Sequence, residues 1–132
     1  MKLITRETDY ALRALCFIFQ HKRKKFSVSM LVKELKVPKP FLRKILQVLN
    51  KRGILKSSKG RGGGFQAAKR ADKVFLADLI EAFQGPLKLN ECFFKKLACP
   101  NIKACVLRKK IDRMENYIIK ELRSISVASL LR

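Results

Sequence analysis

Acidic side chains are scarce in this chain of 132 residues, which has 10 Asp and Glu against 31 Lys and Arg. The formal charge is therefore +21, and in a compact state the positive side chains repel one another. Binding a polyanionic partner would compensate for this repulsion. DNA, RNA and an anionic membrane surface all carry enough negative charge for this role. With 48% hydrophobic residues, the chain is expected to fold around one domain's worth of core.

Long hydrophobic runs are also absent. The longest one, residues 14–19, is far shorter than the roughly 20 apolar residues that a bilayer requires. The first seven residues mix basic and acidic side chains and do not form a secretory signal peptide. We therefore predict a cytoplasmic protein with no membrane partner. In that reducing compartment, clustered cysteines are more often metal ligands or redox sensors than disulfides.

Groups that carry catalysis are few. The only histidine, His21, opens the basic run 21–25, and no metallopeptidase pattern or activated serine or cysteine pair is present. The glycine-rich run 59–64 lacks the Lys-Ser/Thr ending of a phosphate-binding loop, and no strand-to-helix transition follows it. The sequence therefore predicts that the protein is not an enzyme.

Apolar periodicity predicts three helices in the first half of the chain. The first spans 8–20, the second is capped by Ser29 and ends near residue 35, and the third spans 40–52 and closes at Gly53. Two helices joined by a very short turn, the second led by basic residues, are typical of a helix-turn-helix. The apolar stripe of the third helix is predicted to consist of Phe41, Leu42, Ile45, Leu46 and Leu49.

A hairpin follows the third helix. Residues 54–58 and 65–68 read as short strands, and the glycine-rich turn 59–64 between them needs several positive-φ residues. A hairpin after a helix-turn-helix is a winged helix. The predicted fold class is therefore mainly α with a small β-hairpin wing, plus a long C-terminal helix.

The second half of the chain contains a short helix, 77–83, a long one, 105–123, and a last short one, 126–131. In the long helix, apolar residues recur at spacings of 4, 3, 4 and 4, which suits pairing with a second copy of the same helix. Packing of this stripe on its own domain is the alternative. The stripe consists of Leu107, Ile111, Met114, Ile118 and Leu122. We divide the chain into a DNA-binding domain (1–85), a cysteine loop (86–104) and a dimerisation region (105–132).

Three cysteines, Cys92, Cys99 and Cys105, stand within 14 residues. Thiolates suit iron–sulfur clusters or zinc, but the gaps of six and five residues are wider than those of ordinary zinc knuckles. The neighbouring basic side chains lower the pKa of thiols and partly neutralise an anionic cluster. Free thiols without a cofactor remain the alternative. Cys16 sits apart on the apolar face of the first helix and is expected to pack in the core.

Basic residues of the first half are the candidates for holding DNA. Phosphate contacts supply affinity, whereas base edges supply sequence choice. The candidate phosphate contacts are Lys2, Arg6, Lys39, Lys44, Lys51, Lys56 and Lys59. The candidates for base reading are Lys39, Arg43 and Gln47 on the third helix and Arg61 at the wing tip, where Gly62 and Gly63 let the backbone approach a groove.

The motifs at 8–15, 59–65, 75–82 and 126–131, together with the three-cysteine loop, resemble those of a known family in the same order. This is the family of bacterial winged-helix regulators typified by the iron–sulfur cluster assembly regulator, the nitric-oxide-sensitive repressor and the rhizobial iron regulator. The resemblance covers essentially the whole chain and is strongest to the nitric-oxide-sensitive branch. It implies a cytoplasmic homodimer that binds a palindromic double-stranded DNA operator. It also implies a [2Fe–2S] or [4Fe–4S] cluster on Cys92, Cys99 and Cys105, the residues that match by position.

The fourth ligand is an open question. One branch of the family uses a histidine three residues after the last cysteine, where this chain has Arg108, which cannot ligate. The nitric-oxide-sensing branch uses an aspartate from the other subunit, and Asp9 matches that position, with Glu7 in reserve. Alternatively, Asp9 simply favours the helix N-terminus and pairs with Arg13.

The function implied is a repressor that senses redox, nitric oxide or iron status through its cluster. The alternative is a basic nucleic-acid-binding protein that holds zinc or no cofactor. Arg43 stands where another branch carries an acidic residue, so the operator preference of that branch cannot be transferred to this chain.

Overall fold

The computed structural model describes residues 2–21, 25–89 and 106–131. Within these ranges the chain forms five α-helices, one two-stranded antiparallel hairpin and two short 3-10 turns. The mainly helical fold with a hairpin wing is therefore confirmed. The elements are α1 (Arg6–Gln20), α2 (Val28–Leu35), α3 (Lys39–Lys51), β1 (Leu55–Ser58), β2 (Gly64–Ala67), α4 (Leu76–Gln84) and α5 (Val106–Ser124), with 3-10 turns at Ala71–Lys73 and Ala128–Leu130.

Side-chain caps fix where the first two helices begin. The Thr5 hydroxyl accepts a hydrogen bond from Thr8 N, so α1 begins at Arg6, two residues before the predicted start. In α2 the cap is Ser27, whose Oγ lies 3.1 Å from Met30 N, and not Ser29 as predicted. The extended backbone of Ser27 suits a cap, whereas Ser29 already lies inside the helix.

Helix α3 follows a tight turn in which Lys36 adopts the left-handed conformation, with a φ of 56°. Its buried face consists of Leu42, Ile45, Leu46 and Leu49, as predicted. The inclusion of Phe41 in this stripe was wrong, because its side chain is 48% exposed. At 100° per residue, Phe41 lies about 90° around the helix axis from the centre of the arc that these four buried residues form, and so outside that arc.

One hydrophobic core joins the three N-terminal helices to the wing and to the C-terminal segment. Fully buried side chains from all of these parts meet in it, and burial of each leucine contributes about 1.5–3 kcal/mol. They include Leu15, Leu31, Leu46, Leu55 and Val127. The C-terminal segment returns to this core through backbone bonds of 2.8 Å, from Val127 N to Val74 O and from Leu76 N to Ile125 O.

The wing is attached to the helix-turn-helix by its backbone. Strands β1 and β2 pair in a register that sets Leu55 opposite Ala67. Just before α2, Phe26 exchanges two 2.8 Å backbone hydrogen bonds with Phe65, and its ring is buried. The orientation of the hairpin is therefore held by the same core that holds α1 and α3.

Helix α5 packs on α4 through its C-terminal part only. Leu122 is buried against Leu76 and Ile80, and Ile118 packs beside them. Towards the N-terminus of α5 the apolar side chains are open: Leu107 is 65% exposed and Met114 53%. The apolar stripe predicted from sequence therefore has an internal half and an outward half.

Candidate nucleic-acid interface and sensing segment

Helix α3 carries the base-reading residues predicted for it and, on its outward face, the predicted phosphate contact Lys44. Arg43, Lys44 and Gln47 are all exposed, on the side opposite the buried leucines, and Lys39 begins the helix. Because α3 is the second helix of the helix-turn-helix, this is the face that enters the major groove in proteins of this fold. Helix α3 thus carries three of the four residues predicted to read bases, and the fourth, Arg61, lies on the wing tip.

One of these cations has an acidic neighbour within the chain. Lys44 Nζ lies 3.8 Å from Glu7 Oε1 on α1, where the Lys44 side chain is 69% exposed and that of Glu7 40%. An exposed pair of this kind contributes about 0–1 kcal/mol, so a phosphate could displace Glu7 at small cost. Glu7, the reserve candidate for a cluster ligand, is directed towards α3 by this pair.

The start of α1 and the wing tip carry four more of the predicted cations. Lys2 and Arg6 are exposed at the start of α1, and Lys59 and Arg61 are exposed on the wing tip. Helix α1 and strand β1, which lead to these two places, both pack on α3.

The shape of the wing tip depends on its glycines. Gly62 has a φ of 72°, which side-chain-bearing residues rarely adopt. A Cβ placed on Gly63 would lie only 2.5 Å from the Ser58 carbonyl oxygen, and Gly63 N already donates to Gly60 O at 3.0 Å. These contacts fix a narrow tip from which Arg61 projects.

Asp9, the predicted fourth ligand, lies on the surface of α1. Its Oδ2 is 3.1 Å from Arg13 Nε, the pairing expected from the four-residue spacing, and its side chain is 42% exposed. The described residues contain no group of three or more His, Cys, Asp and Glu side chains placed to hold a metal ion. Cys92, Cys99 and Cys105 lie outside the residues that the structure describes.

Cys16, by contrast, is described. It is half-buried on α1 and packs against the main core, as predicted, and burial raises the pKa of its thiol. A raised pKa keeps the thiol protonated and unreactive near neutral pH. Cys16 therefore acts as a packing residue.

A glutamine that sequence reasoning missed joins both ends of the DNA-binding region. Gln84, the last residue of α4, accepts hydrogen bonds from Thr5 N at 3.0 Å and from the Thr8 hydroxyl at 2.7 Å. Its Nε2 donates to Leu3 O at 3.2 Å. The partners lie 76 to 81 residues away in sequence, so no local pattern could have revealed this contact.

A second polar contact holds the chain that leads towards Cys92. Glu115 on α5, whose side chain is only 13% exposed, accepts a 3.1 Å hydrogen bond from Leu89 N and lies 3.8 Å from Lys88 Nζ. Residues 85–89 are thus attached to α1 through the adjacent Gln84 and to α5 through Glu115. We refer to residues 85–89 as the connector and to residues 90–105 as the cysteine segment.

The helices in the described ranges include none that combines the length and the apolar character needed to cross a membrane.

The fold and its basic surface define a winged-helix DNA-binding protein. Residues 4–132 match the model of the Rrf2 family, described as an iron-dependent transcriptional regulator. The chain therefore belongs to the Rrf2 family, which confirms the resemblance read from the sequence, and it is a DNA-binding transcriptional regulator.

Two relatives illustrate the similarity over nearly the full chain. A protein of Aquifex aeolicus named as an HTH-type transcriptional regulator is 31% identical over 124 residues, which cover 92% of this chain and 86% of that protein. The HTH-type transcriptional regulator NsrR of Shouchella clausii is 29% identical over 129 residues, which cover 90% of this chain and 87% of that protein.

Solved structures of similar fold include two regulators. The IscR structure of T. potens superposes with a TM-score of 0.75 and 22% identity, covering 98% of this chain and 85% of that one. CymR of B. subtilis, the global cysteine regulator, superposes with a TM-score of 0.78 and 20% identity, covering 98% of this chain and 96% of that one. At these identities the superpositions establish the fold.

Proposed function

We propose that this transcriptional regulator is a cytoplasmic homodimeric repressor that senses redox, nitric oxide or iron status through an iron–sulfur cluster. The observation that carries the proposal is the sequence arrangement of Cys92, Cys99 and Cys105 between the DNA-binding half of the chain and α5. The family description as iron-dependent and the name of the NsrR relative support this choice of cofactor.

The donor chemistry fits such a cluster. Three thiolates are the preferred ligands of iron–sulfur centres, and the basic side chains in this stretch of sequence favour the deprotonated thiols. When bound, an iron–sulfur cluster supplies iron that can react with nitric oxide or oxygen. The protein's own part is to connect the cysteine segment with the elements that hold DNA.

The connector supplies that link in the proposed mechanism. It leaves α4 at Gln84, which is bonded to the start of α1, and it is fixed to α5 by Glu115. A change in the cysteine segment would therefore act on the helix that begins beside Lys2 and Arg6, and on the helix proposed to join the subunits. Such a change would alter the spacing of the two α3 helices of a dimer.

We further propose that Asp9 of the partner subunit supplies the fourth ligand. Its side chain is 42% exposed, and the ion pair with Arg13 contributes only about 0–1 kcal/mol because it lies at the surface of α1. Releasing Asp9 for coordination therefore costs little. An oxygen ligand would leave one iron more open to attack than a fourth thiolate would.

An Asp9→Ala variant tests this role. We expect the cluster to remain bound by the three cysteines, with an altered rate of bleaching of its visible absorption when nitric oxide is added anaerobically. Asp72→Ala is the matched control, because Asp72 forms a similar exposed pair with Arg70 at 3.2 Å. An Asp9→Ala spectrum and nitric-oxide response identical to those of the wild type would exclude Asp9 as a ligand.

The proposed dimer forms through the outward half of α5. Leu107 and Met114 are two helical turns apart, and Tyr117 lies one turn further along, 67% exposed. Leaving such side chains in water forfeits the free energy that their burial would provide. Pairing of two α5 helices would cover them and would place two α3 helices on the paired half-sites of a palindromic operator.

The proposed DNA contacts combine phosphate neutralisation along the edges with base reading in the centre. These residues are Lys2, Arg6, Lys39, Arg43, Lys44, Gln47, Lys59, Arg61, Gly62 and Gly63. All of them except Gly63, which is half-buried, are exposed at the start of α1, on α3 or on the wing, and this exposure supports the assignment.

A second candidate function follows from the charge of +21, which is high for a sequence-specific repressor. A basic nucleic-acid-binding protein that holds zinc or no cofactor would show little preference among DNA sequences. Anaerobic purification followed by visible spectroscopy and by iron, sulfide and zinc analysis separates the two. Broad visible bands with acid-labile sulfide support the cluster; a colourless protein supports the alternative.

A further inference from the structure

Phe41 is an aromatic residue in an unexpected place. It lies on α3, where the sequence pattern predicts a core position, yet its side chain is 48% exposed. Full burial of a phenylalanine contributes about 1.5–3 kcal/mol, so this position leaves a substantial part of that free energy unused in the isolated chain. A partner that covers Phe41 would recover it.

The position of Phe41 identifies the partner. It is the third residue of α3, and the N-terminal residues of a recognition helix are those that reach base edges. Arg43 and Lys44, both exposed, follow within three residues. Phe41 is therefore an apolar ring on a cationic surface that meets DNA.

The other large apolar side chains that are exposed in the described residues lie elsewhere. Four of them are on α5, where the proposed dimer contact covers them, and the remaining two are Leu3 and Leu130 near the chain ends. Phe41 thus stands apart from the surface proposed to bury a second copy of the chain. A protein partner at this position would also have to exclude DNA from α3.

Base edges in the major groove present hydrogen-bond donors and acceptors, which a phenyl ring cannot satisfy. The apolar group that they offer is the C5 methyl of thymine. We propose that Phe41 determines operator specificity by packing against a thymine methyl group in each half-site. This inference rests on the proposed role of α3 in base reading, and it adds a residue and a base to it.

Deoxyuridine substitution tests the contact, because it removes the methyl group and leaves the base-pairing edge unchanged. The operator is first obtained by selecting duplexes from a random pool with the wild-type protein. Each thymine is then replaced in turn by deoxyuridine, and affinity is measured by fluorescence anisotropy. At one thymine per half-site we expect about fourfold weaker binding, the loss for one buried methyl group.

The same scan with variants assigns the effect to Phe41. Phe41→Ala should bind the operator more weakly and lose the response to deoxyuridine at that thymine. Phe41→Leu retains an apolar side chain and should keep part of the response. Leu130→Ala removes an exposed apolar side chain far along the chain and should keep all of it.

Two results would overturn the inference while leaving DNA binding through α3 intact. One is a wild-type scan in which no thymine responds to loss of its methyl group; the other is a Phe41→Ala scan with an undiminished response. Failure of the wild-type protein to select any duplex sequence would instead refute sequence-specific base reading, and the inference with it.

Discussion

Replacement of Gln84 by alanine probes the contact that joins α4 to the start of α1. The side chain bonds to Thr5 N at 3.0 Å, to the Thr8 hydroxyl at 2.7 Å and to Leu3 O at 3.2 Å. Thr8 is fully buried, so bulk water cannot replace Gln84 as the hydrogen-bond partner of its hydroxyl when the side chain is removed. The variant should therefore lose stability although Gln84 lies outside the main hydrophobic core.

The magnitude follows from how these partners are placed. The bond to Leu3 O is exposed, and water can replace it, so it contributes little. The two partly buried bonds contribute about 1 kcal/mol each, and Thr8 keeps a 3.3 Å contact with the Thr5 hydroxyl. We expect the free energy of unfolding to fall by about 2 kcal/mol in total.

Urea denaturation followed by circular dichroism at a fixed protein concentration measures this loss. With a urea slope of about 2 kcal/mol per molar, the midpoint should fall by about 1 M. Gln20→Ala, the same substitution at an exposed residue that ends α1, should stay within about 0.5 kcal/mol of the wild type. Equal midpoints for Gln84→Ala and the wild type would show that the Gln84 hydrogen bonds do not stabilise the fold.

Two further predictions concern DNA binding and assembly. Arg61→Ala should weaken operator binding by about 1–3 kcal/mol, measured by fluorescence anisotropy. Arg70→Ala removes the same charge outside the hairpin and should have a smaller effect. An unchanged affinity of Arg61→Ala would show that the wing tip does not contact DNA. In analytical ultracentrifugation, a Leu107→Glu, Met114→Glu double variant should sediment as a monomer, because each subunit would bring two charges into the proposed α5 contact. A variant that remains dimeric would show that the subunits pair through another surface.

Local sequence patterns predicted the elements well where local chemistry decides the structure. Gly53 closes α3 with a φ of 75°, as its position after a helix suggested, and the glycine-rich turn forms the expected hairpin tip. The cap of α2 was misplaced by two residues, because two serines compete and the Phe26–Phe65 backbone pairing favours the first. Such tertiary pairing is invisible in a local pattern.

The candidate site was predictable in its residue types but not in its connections. The apolar pattern assigned Phe41 to the core because it shows only which residues are apolar. How α3 packs against its neighbours decides which of those residues are buried, and Phe41 is 48% exposed. Gln84 binds Thr8, 76 residues away, and Glu115 binds the backbone N–H of Leu89, 26 residues away. No local sequence pattern can therefore predict either contact. The cysteine segment was recognised from its cysteine spacing and from the family resemblance, and its role stays a prediction.

In the proposed function, the state of a cluster on the three cysteines controls operator binding. The most direct measurement is the operator affinity of anaerobically purified protein, taken before and after the cluster is removed by oxygen and a chelator. We predict a change of about tenfold or more, within the usual range of coupling between two sites. Equal operator affinities with and without the cluster would show that the cluster does not control DNA binding.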